Sequence, residues 1–423
     1  NTNDYGTINL NSCIDVNPVF VDTANGNYHL LASSHLINAG HPDSTDSDGT
    51  RADIGAYPYL NTYSGPTWYV SGNGNDTTAT GGGTDSFRSI QAAINFASDG
   101  HNVNVASGNY FENINFRGRA ITVTGSDGST IDGGGNGTVV TFDSGEDSTT
   151  TLSGFTIQNG LDTAMTWPAG HGGGIFISDA SPNLTNLTIT NNQASFGSGG
   201  YFFAYGGVMD GVTFHGNTGT GLELQNSTGT MKNSVISSNT DGGIIIVTGD
   251  NWTDPSYMVI NNSQIINNTT TGNGGGIYSE QTPVYFTGGS ISGNTAVNGA
   301  GIYFQNSDAI LDNVKIYNNT ASNHGGGVLQ STGTNLGVNA DQVTYKNVII
   351  ASNNAVYGTE LFLSWGTKSV FTNSIIYKDT LYNQNNRLID TNPGTNISLL
   401  HSVIWSNSGM IMNINGGGDG GSA

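Results

Sequence analysis

LTNLTITNN, residues 184–192, is one copy of a pattern that recurs along this chain. LSGFTIQNG (152–160), MDGVTFHGN (209–217), MKNSVISSN (231–239), INNSQIINN (260–268) and FTGGSISGN (286–294) share it, and so do LDNVKIYNN (311–319), YKNVIIASN (345–353), FTNSIIYKD (371–379) and LLHSVIWSN (399–407). An apolar residue opens each copy and Ile or Phe stands five residues later: Ile157, Ile189, Phe214, Ile236, Ile265, Ile291, Ile316, Ile350, Ile376 and Ile404. Apolar and polar residues alternate around these positions, as in a strand with one buried face. Successive copies lie 22 to 34 residues apart, the length of one solenoid turn.

Three residues after the Ile or Phe stand Asn192, Asn217, Asn239, Asn268, Asn294, Asn319, Asn353 and Asn407, with Gly160 and Asp379 as exceptions. Stacked coils align such residues into a ladder. Asn tolerates the left-handed backbone of a tight turn, and its amide can bond to the Asn one coil above and below. A polar binding row is the other reading of the same column, and the structural one outweighs it. GGGI (172–175), GGI (242–244), GGGI (274–277), GAGI (299–302) and GGGV (325–328) fall between the copies and each begins another strand. Glycine there supplies a bend and close backbone approach. None of these runs ends in the Lys-Ser/Thr of a nucleotide loop.

Upstream, TDSFRSIQAAINFASDG (84–100) places Phe87, Ile90, Ala93, Ile94 and Ala97 at helical spacing, with Thr84 or Asp85 as N-cap,. It predicts one short amphipathic helix that plugs the open apolar end of the solenoid, which needs such a cap for solubility.

Composition agrees. Of 423 residues 63 are Gly and 9 Pro, a mixture suited to many short strands and tight turns and unsuited to a helical bundle. The formal charge of −21 excludes nucleic acid and anionic membranes as partners and opposes polyanionic sugars. No apolar stretch reaches the length of a membrane-spanning helix, so membrane insertion by a helix is not expected. The single Cys13 cannot form an intrachain disulfide and reads as filler.

These elements together resemble right-handed parallel β-helix proteins of the pectin-lyase-like superfamily over about residues 67–414. The paired Gly-Gly-Ile/Val and Ile/Phe-x-x-Asn elements are similar to those of chlamydial polymorphic outer-membrane proteins, which are surface adhesins. The resemblance implies an all-β solenoid with an extracellular or cell-surface setting. Residues 17–60, NPVFVDTANGNYHLLASSHLINAGHPDSTDSDGTRADIGAYPYL, resemble the closing segment that follows the final coil in many secreted bacterial β-helix proteins. Here that segment comes first, before WYVSGNGNDTT (68–78), which is similar to the opening of such domains.

The expected organisation is therefore a closing segment over 1–60, a linker over 61–66 and a β-helix over 67–423. About thirteen or fourteen coils at roughly 4.8 Å each make a rod of about 65 Å, whereas the linker reaches at most about 20 Å. Residues 1–60 cannot close the far end of their own rod, so they are expected to complete a neighbouring unit. The partners expected are copies of the chain, head to tail in a filament or stalk, and glycans.

Candidate chemistry is sparse. Asp43, Asp46, Asp48 and Asp53 lie in HPDSTDSDGTRAD, where closely spaced oxygen ligands and Gly49 suit a structural calcium ion or, equally, a solvated turn,. A polysaccharide lyase or glycoside hydrolase acting along the rod is the alternative function. A hydrolase needs two facing carboxylates, for which Asp210, Glu223, Asp308 and Asp312 are candidates without an evident pairing. A lyase needs a base and cations. The basic residues beyond 120 are Lys232, Lys315, Lys346, Lys368, Lys378 and Arg387, with no catalytic pair among them. Gly170-His171-Gly172 is similar to the Gly-His-Gly of polygalacturonases, but the accompanying elements are absent. Trp68, Trp167, Trp252, Trp365 and Trp405 are candidates for stacking on sugars, most of them expected to be packing residues.

Overall fold

In the computed structural model, residues 16–249, 253–254, 256–332, 342–379, 387–407 and 412–414 are described; Cys13 and Trp252 lie outside them. The coil that holds LTNLTITNN shows how the repeat becomes geometry. Asn183–Thr185 is a strand, the chain bends at Asn186 with φ 51°, and Thr188–Thr190 is a second strand. A corner at Asn191, φ 55°, leads through the glycines to a third, Gly200–Phe203. The first two strands of every coil join a 23-stranded sheet and the third joins a 12-stranded sheet. Met258–Ile266 and Val284–Ser292 run unbroken through the first bend, which makes the two-strand stacks one sheet. Pairing is parallel throughout both. The architecture is a parallel β-helix.

The register matches the repeat residue for residue. Ile157, Ile189, Phe214, Ile236, Ile265, Ile291, Ile316, Ile350, Ile376 and Ile404 are cross-strand neighbours in one continuous column. All are buried except Ile404, which is partly so. Burying each such side chain is worth roughly 1.5–3 kcal/mol. Together they form one core that runs the length of the rod.

The Asn column does stack, with one correction. Asn192, Asn217, Asn239, Asn268, Asn294, Asn319 and Asn353 are fully buried, and none of them takes the left-handed conformation. That conformation belongs to the residue before: Asn191, Gly216, Ser238, Asn267, Gly293, Asn318 and Ser352 all have φ between 53° and 69°. The turn and the ladder are thus assigned to adjacent residues. From Asn217 to Asn353 each ladder Oδ1 accepts both the backbone N–H and the side-chain amide of the Asn one coil earlier, as Asn268 does from Asn239 at 3.1 and 2.9 Å, while Asn192 accepts the Gly160 N–H. Each Nδ2 also donates to a carbonyl of the preceding coil, such as Asn268 to Ile236 at 3.0 Å. Asn407 is not part of it: it is exposed, and the position one coil before it holds Asp379 instead of Asn.

The helix is shorter than expected. It spans Ile90–Phe96, with Ser89 as N-cap accepting from the Ala92 N–H. Thr84 and Asp85 do not cap it, since the Asp85 carboxylate turns back to Thr80 and Asp76 accepts from the N–H of Arg88 and Ser89. Nor has it a solvated face. All seven residues are buried, Gln91 and Asn95 included, because residues 30–37 lie across it.

That contact revises the expected division of the chain. Asn95 donates to the carbonyls of Ala32 and Ser34 at 2.9 and 2.8 Å, and Arg117 reaches the carbonyl of Ile37. Leu30, Ala32, Leu36 and Ile37 belong to the same core as the first coils. The described part of the closing segment, from residue 16, is therefore seated on the start of its own rod. Residues 61–66 are no free linker either. Asn61 is buried and donates to Asp48 and Thr80, and the Tyr63 ring packs edge-on against Trp68.

Candidate functional site

On the 12-stranded sheet the inward residues alternate with an outward row. In register it reads Phe176, Tyr201, Glu223, Ile245, Tyr278, Tyr303, Leu329, Phe362 and Asp390. The neighbouring outward row carries Ser178, Phe203, Gln225, Val247, Glu280, Gln305 and Ser331. Neither row contains a Lys or Arg. Stacking coils brings rings face to face: Phe176 and Tyr201 are 6.3 Å apart and 10° from parallel, Tyr278 and Tyr303 5.5 Å and 7°. Phenol groups are tied to acids and amides beside them. Tyr278 donates to Glu280 at 2.8 Å, and Gln305 donates to the other Glu280 oxygen at 2.8 Å. Tyr201 donates to Gln225.

A loop covers one end of this row. Gly170 lies in the left-handed region, and any Cβ there would stand 1.8 Å from the Ala164 carbonyl oxygen, so the loop closes only with glycine. Its base is pinned by Phe196, which donates to the Gly170 carbonyl and accepts from Gly172. Trp167 from this loop packs across Phe176, Tyr201, Phe203 and His171 at 5.0–6.0 Å and steep interplanar angles. Phe176 and Tyr201 are consequently buried while standing outside the main core. Trp167 itself is 53% exposed.

Glu223 follows Tyr201 in the row and is partly exposed. Its Oε2 accepts the Gly197 N–H at 3.1 Å. Loss of water contact pushes its pKa up to about 7, the Gly197 bond opposes the rise and Asp241 adds to it. The sequence signal for this acid was only its residue type. The sheet register supplies its setting.

The other candidates are dispersed. Asp210 pairs with Lys232 at 3.1 Å on the outside of the 23-stranded sheet. Asp312 accepts from Asn347 and Asp308 from the Gln342 N–H. Asp210 and Asp312 share one outward column, with Lys232, Asn261 and Thr287 between them, and neither shares a sheet with Glu223. His171 stacks on Phe196 at 4.7 Å and bonds the Ala169 carbonyl. Trp68 is buried and donates to His101.

In the acidic loop the carboxylates serve the backbone. Asp46 accepts from the Asp53 N–H, Asp48 from Thr50 and Asn61, and Asp53 from Asn38 and Tyr59. Burial raises the Asp53 pKa; at Asp48 burial is outweighed by the Asn61 and Thr50 donors and the pKa falls. Asp43 stands apart, 3.9 Å from His41. Among the described residues no group of three or more His, Cys, Asp or Glu is gathered as a metal site.

The last coils form a second distinctive surface. Strands Asn396–Leu400 and Val403–Ser406 pair on one side only among the described residues. Leu400 and Val403 are 50% and 54% exposed, and Trp405 stacks on Tyr377 at 5.2 Å. No described helix is long and apolar enough to cross a membrane.

Comparison with known proteins matches the geometry at the level of fold. No curated protein matches the chain. Solved structures similar to it include PfbA, a surface adhesin of Streptococcus pneumoniae, at 14% identity and TM-score 0.46, covering 74% of this chain and 85% of that one. Pectate lyase Pel9A is similar at 14% identity and TM-score 0.32, with 80% and 78% covered. The tailspike gp49 of Acinetobacter baumannii bacteriophage Fri1, a capsular polysaccharide depolymerase, is similar at 11% identity and TM-score 0.36, with 72% and 57% covered. These neighbours span an adhesin and polysaccharide-active enzymes and carry no argument for either. Residues 173–340 match the family model described as right handed beta helix region, and the stacked parallel sheets of the structure have that architecture over the same stretch.

Proposed function

We propose that this chain is a structural rod of the cell surface or extracellular space that joins copies of itself head to tail and presents its side face for adhesion. The observation that carries the reading is the last described coil, where Leu399 and Ile404 of the inward columns stay partly exposed, Leu399 at 39%, on strands that pair on one side only among the described residues. Edge strands of this kind are templates for strand addition. The opposite end is covered in cis by residues 16–60 over the helix Ile90–Phe96, which acts as the lid of the rod. Its hairpin, Phe20–Asp22 with Asn27–Leu30, pairs with no other described strand. A neighbouring copy would meet that outer surface with its open edge, and the repeated heterologous contact would give a filament.

Removing residues 1–60 would strip the buried helix as well as the junction, so point substitutions at the far end are the cleaner test. Negative-stain electron microscopy and sedimentation of the intact chain should show end-to-end rods that Leu399→Asp with Ile404→Asp reduces to single rods. Single rods for the unaltered chain at high concentration would refute the assembly. The enzymatic reading is the weaker one: Asp210 is tied to Lys232, and Asp210 and Asp312 lie on a different sheet from Glu223.

A further inference from the structure

The setting of Trp167 is more specific than a packed aromatic. Its centroid is 5.5 Å from Phe176 and 6.0 Å from Tyr201, which are themselves 6.3 Å apart and nearly parallel. Those three distances make an almost equilateral triangle, so the indole sits above the gap between the two rings. The steep angles of 63° and 67° to them make edge-to-face contacts, an arrangement favoured by the ring quadrupoles,. Although it touches four rings, Trp167 remains 53% exposed. The loop thus holds a half-exposed aromatic plate over the outward row.

An acid stands beside the plate. Glu223 is the next rung after Tyr201, about 4.8 Å further along the rod, within the span of one sugar ring. Its Oε2 is held by the Gly197 N–H, while Oε1 makes no hydrogen bond among the described residues. No basic side chain occupies either outward row, and the whole chain carries a charge of −21. The field at this face attracts cations and repels carboxylated sugars.

We propose that Trp167 and Glu223 form a binding subsite for an amino sugar with a free ammonium group, one unit of a cationic, N-deacetylated polysaccharide. The apolar C–H face of the pyranose covers the exposed part of the indole, and the ammonium group lies against Oε1 of Glu223. A charged hydrogen bond of that kind is about twice as strong as a neutral one. The further rungs, with Glu280 and its Tyr278 and Gln305 partners, continue the same acidic and aromatic character along the chain axis. This site is independent of the head-to-tail junction.

The test is isothermal titration of the intact chain with glucosamine hexamer, N-acetylglucosamine hexamer and oligogalacturonate at physiological salt. The glucosamine hexamer is expected to bind, the N-acetylated hexamer at least tenfold more weakly and the uronate not measurably. Trp167→Ala should weaken glucosamine binding at least tenfold, and Glu223→Gln should erase the preference for the free amine while retaining weak binding of both neutral and cationic hexamers. Trp405→Ala, far from the plate, should change neither. Unaltered binding by Trp167→Ala would mean that the cationic oligomer is held by net charge alone and would overturn the proposal. Equal affinity for the acetylated hexamer, or no binding of any hexamer by the unaltered chain, would overturn it too. Melting curves separate loss of the subsite from loss of the fold, since an exposed loop residue should leave the melting temperature nearly unchanged.

Discussion

Glu360 ends the asparagine ladder by substituting for its next rung. Its carboxylate accepts the backbone N–H of Asn353 at 3.0 Å and also the Asn353 side-chain amide, the same two donors that every earlier ladder residue presents to an Asn. It occupies the column that glycine fills at Gly276, Gly301 and Gly327, so the side chain enters the corner from the other side. Lys378, buried nearby, donates to the Asn353 carbonyl. Burial raises the Glu360 pKa, which the Asn353 amide and Lys378 partly offset.

Glu360→Ala should therefore cost more than loss of a surface acid. It leaves both Asn353 donors without an acceptor and removes the carboxylate charge that acts on Lys378, a loss of about 2–4 kcal/mol. Chemical denaturation should show a lower midpoint, and Glu360→Gln, which keeps one acceptor, should recover part of it.

Within the ladder, Asn268→Ala should be among the most damaging polar substitutions. Asn239 loses its acceptor twice over, and Ile236 and Asn294 lose a donor. About 2–5 kcal/mol is expected. Asn407→Ala removes the same residue type from an exposed position and should fall within about 0.5 kcal/mol of the unaltered chain. Comparing the two in urea separates ladder from composition.

Gly276→Ala tests the corner. A Cβ there would stand 2.5 Å from the Gly301 carbonyl oxygen and 3.0 Å from the Asn294 amide nitrogen, both fixed by the next coil. Overpacking of about 1–3 kcal/mol follows, with a matching fall in melting temperature.

Stability should rise on mild acidification. Burial pushes Glu112 and Glu223 up to about 7, each partly opposed by backbone N–H donors. A carboxyl with a raised folded pKa stabilises fully below its ordinary value of 4.5 and loses that contribution as pH climbs through about 7. Asp132 and Asp210 act oppositely. Hydrogen-bond donors, Gln158 foremost, overcome burial at Asp132, while at Asp210 Asn233 is the main cause; both pKa values are lowered, and their contribution disappears below about pH 4. Melting temperature should peak near pH 5 and fall toward pH 8. Glu223→Gln should flatten that fall.

Chelation should leave the melting temperature unchanged. At Asp48 and Asp53 both carboxylate oxygens accept hydrogen bonds from the chain, so the loop is already held by its own backbone donors. A clear drop on adding chelator would restore the metal reading of this loop.

The repeat determined a great deal by itself. A solenoid coil repeats one local environment, so Ile189, Phe214 and Ile236 each carry the full pattern of inward apolar residue, tight turn and ladder Asn in their own neighbourhood of sequence. Register, buried column and ladder were legible for that reason. What lies between coils was not. Trp167 and Glu223 are 56 residues apart and come to one face only because the Trp167 loop folds over Phe176 and Tyr201, whose outward row stacking continues to Glu223. Glu360 takes an asparagine's role from a glycine's position, which no one-dimensional spacing encodes. Residues 30–37 cover the helix because its polar Asn95 finds the Ala32 and Ser34 carbonyls there, a match that exists only once the first coil has formed. Local periodicity thus set the coil, and long-range packing decided what its ends and faces present.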